Sequence, residues 1–368
     1  MRSFLPRAAQ RGLTMIEMMV SITIGLVVVG AATYTYIGSK GAYSGNESLA
    51  RIQEAGRFAL DSIARDIRSA GALGCGSSQT LAGQTRVNVI PTTTTTAVNP
   101  TVLSVDPGGS GQPAPVQGVA PTAYVPLPVP AGAWPAWIAP TGAAPYWGGD
   151  ILQLQIATGV GVRMSAGPDT TAGTITIPDN RVANFKQNDY ALLGDCSSAA
   201  LFQVNSVSGA APAVLLTYKT GAVVPQLNAP GLPGFSIMTF PTVQHFDQVT
   251  YYVGTIPNSN PPRSALYRYS MATGLDEEVV ENVEDLDVRY GIGAGGALTG
   301  DFQPASVMAP GDWANVISVR VSLVAAGDKA GVAQQRQTFT LHGVSWTAPD
   351  TRLRQVFTGT IALRDRLQ

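Results

Sequence analysis

The sequence of 368 residues holds only two histidines and two cysteines, which leaves little from which to build a His- or Cys-ligated metal centre or a His-driven active site. Charged residues make up 13%, about half the share of an ordinary soluble domain. With a net charge of −1, bulk attraction to a polyanion is excluded as a driving force for binding. Gly-x-Ser-x-Gly, His-Glu-x-x-His and Walker motifs are absent, and Gly108-Gly109-Ser110-Gly111 lacks the Lys and the following helix that a phosphate loop requires. His245 and His342 lie 97 residues apart without suggestive neighbours and read as ordinary polar or packing residues. An enzyme assignment has no residues to rest on, and neither a cofactor nor a metal is expected. What the chain does have is 40 glycines and 26 prolines, a turn-rich composition, and an unusual N-terminus.

Residues 1–12 carry Arg2, Arg7 and Arg11 and no acid, and the 27 residues from Leu13 to Ser39 carry Glu17 as their only charge. About 20 apolar residues cross a bilayer core, so this segment is long enough to span one, with the N-terminus cytoplasmic by the positive-inside rule. A secretory signal would have a shorter apolar region ending in a small-residue cleavage site, and none is evident. A carboxylate inside such a helix costs about 2.5–3.5 kcal/mol. On physical grounds alone, Glu17 either snorkels to the headgroups near the favourable end of the helix dipole or serves a function.

The helical pattern continues past the apolar run. Leu49, Ile52, Gly56, Leu60, Ile63, Ile67 and Ala70 form one stripe, and Glu47/Arg51 and Asp61/Arg65 stand at i,i+4 with the acid first. Gly38, Gly41 and Gly45 are a weak point, and Ser44-Gly45-Asn46-Glu47 reads as a capping box for a restarted helix. Residues 92–96 are five threonines and 100–145 hold eleven prolines, which predicts an irregular segment over 91–148. Trp134, Trp137 and Trp147 lie in it, either stapling the loop to the head or forming a patch for a partner. Beyond Gly149, alternation predicts strands around 152–156, 175–177, 190–193, 202–204 and 214–218, then 248–253, 265–269, 285–290, 315–324, 336–342 and 354–363. Antiparallel hairpins are the simplest arrangement, since no helical periodicity follows Ala70.

Cys75 and Cys196 allow one intramolecular disulfide, favoured in an oxidising compartment, with buried free thiols as the alternative. Closing a loop of that size is worth up to ~4.7 kcal/mol in the chain-entropy model. Seven acids fall within 276–287. Clustered carboxylates suit a Ca²⁺ ion, but their spacing does not match an EF-hand loop, and a charged subunit interface, or strands and turns with solvated acids, are the better readings.

Arg11-Gly12-Leu13-Thr14-Met15-Ile16-Glu17 followed by an apolar run resembles the prepilin leader of type IV pilins and of type II secretion pseudopilins. The resemblance implies cleavage between Gly12 and Leu13 by the prepilin peptidase, N-methylation of Leu13, and an assembly role in which Glu17 pairs with the terminal amine of a neighbouring subunit. Ile52-Gln53-Glu54-Ala55-Gly56-Arg57-Phe58-Ala59-Leu60, Arg65-Asp66-Ile67-Arg68, Glu284-Asp285-Leu286 with Arg289-Tyr290-Gly291, and Ala362-Leu363-Arg364-Asp365-Arg366 are similar to the PilW family of minor pilins. The family-pattern residues are Gly56, Arg57, Phe58, Arg65, Asp66, Arg68, Glu284, Asp285, Tyr290 and Arg364.

The expected fold is therefore α+β and pilin-like. A cleaved leader (1–12), a membrane and assembly half-helix (13–39) and an amphipathic half-helix (40–72) would precede a large antiparallel β head (73–368). The implied function is that of a minor pilin priming and capping a type IV pilus, used in adhesion and twitching motility. Implied partners are PilV-, PilX-, FimU- and PilE-like minor pilins, the major pilin and a PilY-type tip adhesin. The implied route runs from the inner membrane, with the head periplasmic, to the pilus tip. The alternatives are a GspJ-like minor pseudopilin and a membrane-tethered surface binder. Loss of Arg2, Arg7 and Arg11 leaves 20 basic against 24 acidic residues, which argues against nucleic acid as the target.

Overall fold

A computed structural model describes residues 14–70, 146–169, 173–194, 199–218, 241–260, 262–270, 272–294, 297–308, 312–341 and 343–363, with short strands at 72–73, 76–77, 87–88 and 103–105. The fold is α+β: one N-terminal helix, α1 (Met15–Ser69), followed among the described residues by strands and two short 3₁₀ turns. The helix is 55 residues long, roughly 80 Å at 1.5 Å per residue. It runs unbroken through Gly38, Gly41 and Gly45, so Ser44 does not restart it. The glycines lower helix propensity, but no proline removes a hydrogen bond, and the ladder continues across them.

The head contains a large sheet and a smaller one. In the large sheet, β1 (Tyr146–Arg163) and β6 (Thr242–Thr255) pair over most of their length. The other edge of β6 divides: residues 242–245 pair with β3 (Tyr190–Gly194), and 249–255 pair with β7 (Ser264–Ser270). From β3 the sheet continues through β4 (Ala199–Ala210) and β5 (Ala213–Tyr218) to β2 (Thr174–Ile177), and from β7 to an edge strand, β8 (Leu275–Glu281). The smaller sheet centres on β9 (Val283–Ala294), β10 (Val316–Ala326) and β11 (Arg354–Ala362), all antiparallel. A two-residue parallel pair joins Val87–Asn88 to Ala199–Ala200.

The structure settles several expectations. Residues 275–281 form an exposed edge strand, one of the readings of the acidic run, and charge is what protects such an edge from pairing with another chain. The irregular segment over 91–148 is interrupted, because Leu103–Val105 pairs with 151–153 and β1 already begins at Tyr146. Trp147 is a buried core residue, while Trp134 and Trp137 lie outside the described residues.

Two hydrophobic cores result. The main one joins Ile52, Ala59, Ile63 and Ile67 of α1 to Leu152 and Leu154 of β1, Tyr251 of β6 and the inner faces of β9 and β10. The second lies among β2–β5 around Phe202 and Leu216. The buried helix face differs slightly from the predicted stripe: Leu49 is largely exposed, Leu60 is half-buried, and Ser48, Ala59 and Ala64 join it. Close approach depends on Gly56, since a Cβ there would fall within the ring of Phe357 on β11. One turn on, Leu60 packs over Gly359.

Alanine is about 1 kcal/mol better than glycine in an open helix. Gly56→Ala is nevertheless expected to destabilise the chain by about 1–3 kcal/mol through overpacking. In a Phe357→Ala background the same change should become stabilising. Denaturant titration of both pairs, followed by tryptophan fluorescence in detergent, checks the sign reversal.

Candidate assembly interface

The first described residue, Thr14, caps α1 reciprocally. Its Oγ1 accepts from the Glu17 backbone N–H at 3.3 Å, and its own N–H donates to Glu17 Oε2 at 3.5 Å. The Thr14 hydroxyl also lies 3.5 Å from that carboxylate oxygen. This is a capping box, and it holds Glu17 where the helix dipole favours an anion. The pattern Thr-x-x-Glu ahead of an apolar run was the signal for Thr14 that the sequence reading did not use.

Beyond this cap the helix presents large apolar side chains all round, Met15, Ile16, Leu26, Val27 and Ile37 each more than half exposed. It is long and apolar enough to cross a membrane, with a mean hydropathy of 2.1 over its best window, none of which is buried within the chain. Ser21, Thr23, Thr33 and Thr35 donate their hydroxyls to the carbonyl four residues earlier at 2.7–2.9 Å, so none needs water. Tyr34 and Tyr36, 83% and 69% exposed, stand about 30 Å from the Met15 end, the thickness of a bilayer core and the place for an aromatic belt.

The second half of α1 is fastened to the head. Asp66 Oδ2 accepts from Tyr251 Oη and from Arg268 Nε, both at 2.8 Å. Burial, then the Asp66 charge, pushes the Tyr251 phenol well above its ordinary range. Burial alone would lower Arg268, but the hydrogen bond and charge of Asp66 more than offset it and keep the guanidinium protonated. The helix pairs Glu47–Arg51 (2.9 Å) and Asp61–Arg65 (3.0 Å) form as the spacing predicts, and Lys329 reaches Glu47 at 3.3 Å. Such exposed pairs contribute little.

A second ionic cluster lies beneath. Glu284, on β9, is fully buried between Arg354 (Nε to Oε2, 2.7 Å) and Arg352, and Arg354 also donates to Asp350 at 2.5 Å. Burial alone would raise the Asp350 carboxyl, but hydrogen bonds from Arg354 and Arg352 outweigh it and hold the group well below the usual carboxylate range. The acidic run 276–287 is thus divided among separate partners: Glu281 with Arg263, Glu284 with Arg352 and Arg354, Asp287 with Arg289. Among the described residues no group of three or more His, Cys, Asp or Glu is placed to hold a metal ion.

Of the other family-pattern residues, Gly56, Asp285 and Tyr290 are buried, whereas Arg57, Phe58, Arg65 and Arg68 are exposed. Asp285 Oδ1 accepts from the Leu286 N–H at 2.7 Å. His245 stacks on Phe185 and hydrogen-bonds the Ala183 carbonyl. Gly12, Leu13, Cys75, Cys196, His342 and Arg364 lie outside the described residues.

Residues 250–365 match the family of Type IV Pilus-assembly protein W, PilW, and residues 7–33 match the prokaryotic N-terminal methylation motif. Both ends of the chain carry pilin signatures. The PilW-matched region contains Tyr251, Arg268, Glu284, Arg354 and Phe357, which include the partners of Asp66 and of Gly56 on α1. The match is to pilus-assembly proteins and not to an enzyme family, and such a component associates with other pilins and with the prepilin peptidase. A type IV-like pilin from Thermus thermophilus aligns over 50% of this chain and 86% of its own, with 12% identity and a TM-score of 0.22. No curated protein matches the chain.

Two measurements probe the ionic cluster. Glu284→Gln leaves Arg354 with Asp350 as its only carboxylate in a fully buried site, and is expected to cost about 3 kcal/mol, at the lower end for a broken buried pair, read by denaturant titration. Because the Asp350 carboxyl is depressed in the fold, its stabilising contribution is complete above the unfolded value of about 4. That contribution is lost as pH falls through the lower folded value. Asp350→Asn should therefore flatten the decline in melting temperature below about pH 4.

Proposed function

We propose that this chain is a minor pilin that joins other minor pilins to prime a type IV pilus and remains at its tip, acting by subunit packing. The supporting observation is the exposed apolar half of α1, whose single carboxylate, Glu17, is held at the helix end by Thr14. In this proposal the peptidase removes residues 1–12, Leu13 becomes the methylated N-terminus, and its charged amine approaches Glu17 of a neighbour. Two opposite charges in an apolar setting relieve each other's desolvation cost. The carboxylate exchanges its weak bonds to Thr14 for an ion pair, and the exposed apolar face exchanges lipid for helices. Residues 13–39 are then the membrane and assembly half, 40–72 the half that carries the head, and 73–368 the head itself, outside the inner membrane. A Cys75–Cys196 bridge would form in that oxidising compartment. The partners are PilV-, PilX-, FimU- and PilE-like minor pilins, the major pilin and a PilY-type adhesin.

Glu17→Ala tests this reading. The variant should be processed to methylated Leu13, as mass analysis of the N-terminus shows directly, and should remain in the membrane. It should lose about 3–5 kcal/mol of association, roughly a hundredfold to a few thousandfold, and be depleted from sheared pili. Incorporation at the wild-type level would mean that Glu17 only snorkels.

A further inference from the structure

The outer face of the smaller sheet, turned away from α1, carries an open cavity of about 560 Å³. Strand register explains its lining. Asp287, Ser322 and Thr358 form one cross-strand row, and Arg289, Arg320 and Thr360 form the next. Arg289 and Arg320 are therefore direct neighbours across the ladder, an arrangement of like charges that is unfavourable unless something offsets it. Asp287 offsets Arg289, with both carboxylate oxygens 3.2 Å from its Nε. Arg320 has no such carboxylate among the described residues. Its guanidinium lies over the Phe302 ring, 3.9 Å from the centroid, and its Nε donates to the Thr360 hydroxyl at 3.4 Å.

The cavity also holds an exposed carboxylate, Asp301, and the hydroxyls of Ser322, Thr340 and Thr358. The Ser322 and Thr358 hydroxyls lie 3.0 Å apart. Leu298, Leu341 and Val356 supply apolar margins. A short hairpin (Thr338–Leu341 with Val344–Thr347) borders one side, and at its turn Gly343 takes a positive φ of 76° beside the Arg289 guanidinium.

We propose that this cavity binds an acidic saccharide, with Arg320 taking the sugar carboxylate and Asp301, Ser322, Thr340 and Thr358 taking its hydroxyls. Besides the Asp287–Arg289 pair, the lining combines one cation with no carboxylate partner among the described residues, one further carboxylate that can only accept, and hydroxyls that both donate and accept. A uronic acid presents the complement: one carboxylate, several hydroxyls and apolar C–H faces. An extended peptide gains its affinity from the backbone of a sheet edge, whereas this cavity lies on a sheet face, where the ladder already uses those groups.

Calorimetry on the full chain in detergent, with trigalacturonate as probe, tests the proposal. Saturable binding is expected, weakening with salt, with maltotriose at least tenfold weaker. Arg320→Gln should weaken trigalacturonate about tenfold to a hundredfold at an unchanged melting temperature. Thr340→Val, which keeps every charge, should weaken it severalfold and carries the test if Arg320→Gln melts early. The proposal is overturned if trigalacturonate does not bind, if hexaglutamate or inorganic phosphate binds as well, or if both variants bind like wild type.

Discussion

Half of α1 finds apolar partners within its own chain and the other half does not, and the rest of the structure follows from that division. The boundary lies near Ser48, the first buried helix residue. Before it, Met15 to Tyr43 expose side chains that water would penalise at about 25 cal/mol per Å². After it, Ile52, Ala59, Ile63 and Ile67 disappear into the main core. The exposed half needs a nonaqueous surrounding, and lipid and neighbouring helices can each provide one. That the hydroxyls along it satisfy themselves internally suits it to either.

The buried half is held by shape and by charge. Shape acts where Gly56 receives Phe357 and Gly359 receives Leu60. Charge acts through Asp66, which draws Tyr251 and Arg268 from adjacent strands onto one carboxylate oxygen. Deeper in the head, Glu284 and Arg354 tie β9 to β11 across the intervening β10. Buried pairs of this kind add little net energy over an apolar substitute, but breaking one is costly. They therefore penalise misregistered packing more than they reward the correct one.

Much of this was legible in the sequence because periodicity reports burial. The three- and four-residue spacing from Ile52 to Ile67 reflects the face that the structure buries, and the alternation at 317–323 marks the apolar face, although Ser318 and Ser322 opposite it are buried as well. Where burial and propensity disagreed, the sequence was less informative: β8 is an acidic, exposed edge with no alternating burial to mark it, and three glycines suggested a break that an intact hydrogen-bond ladder does not allow. Residues that act at long range were also hidden. Asp66 stood out by its pattern, but its partners lie 185 and 202 residues away, and no local rule connects them. Thr14 was within reach, since its capping box is local.

The Phe357 ring seated at Gly56 also works as a detent. A helix without side-chain interlocks could slide along a sheet, but here a slip of one turn, about 5.4 Å, would drive Ile52, Gln53, Ala59 or Leu60 into the ring. The stretch from Tyr36 to Gly56 thus acts as a strut of fixed length, about 30 Å, between the bilayer surface and the head. Its length is set by residue count alone and not by any flexible joint. If the lower helix packs among other helices as proposed, the height of the head above them is already decided, so inserting or deleting residues in the strut would shift the head axially and rotate it about 100° for each residue changed.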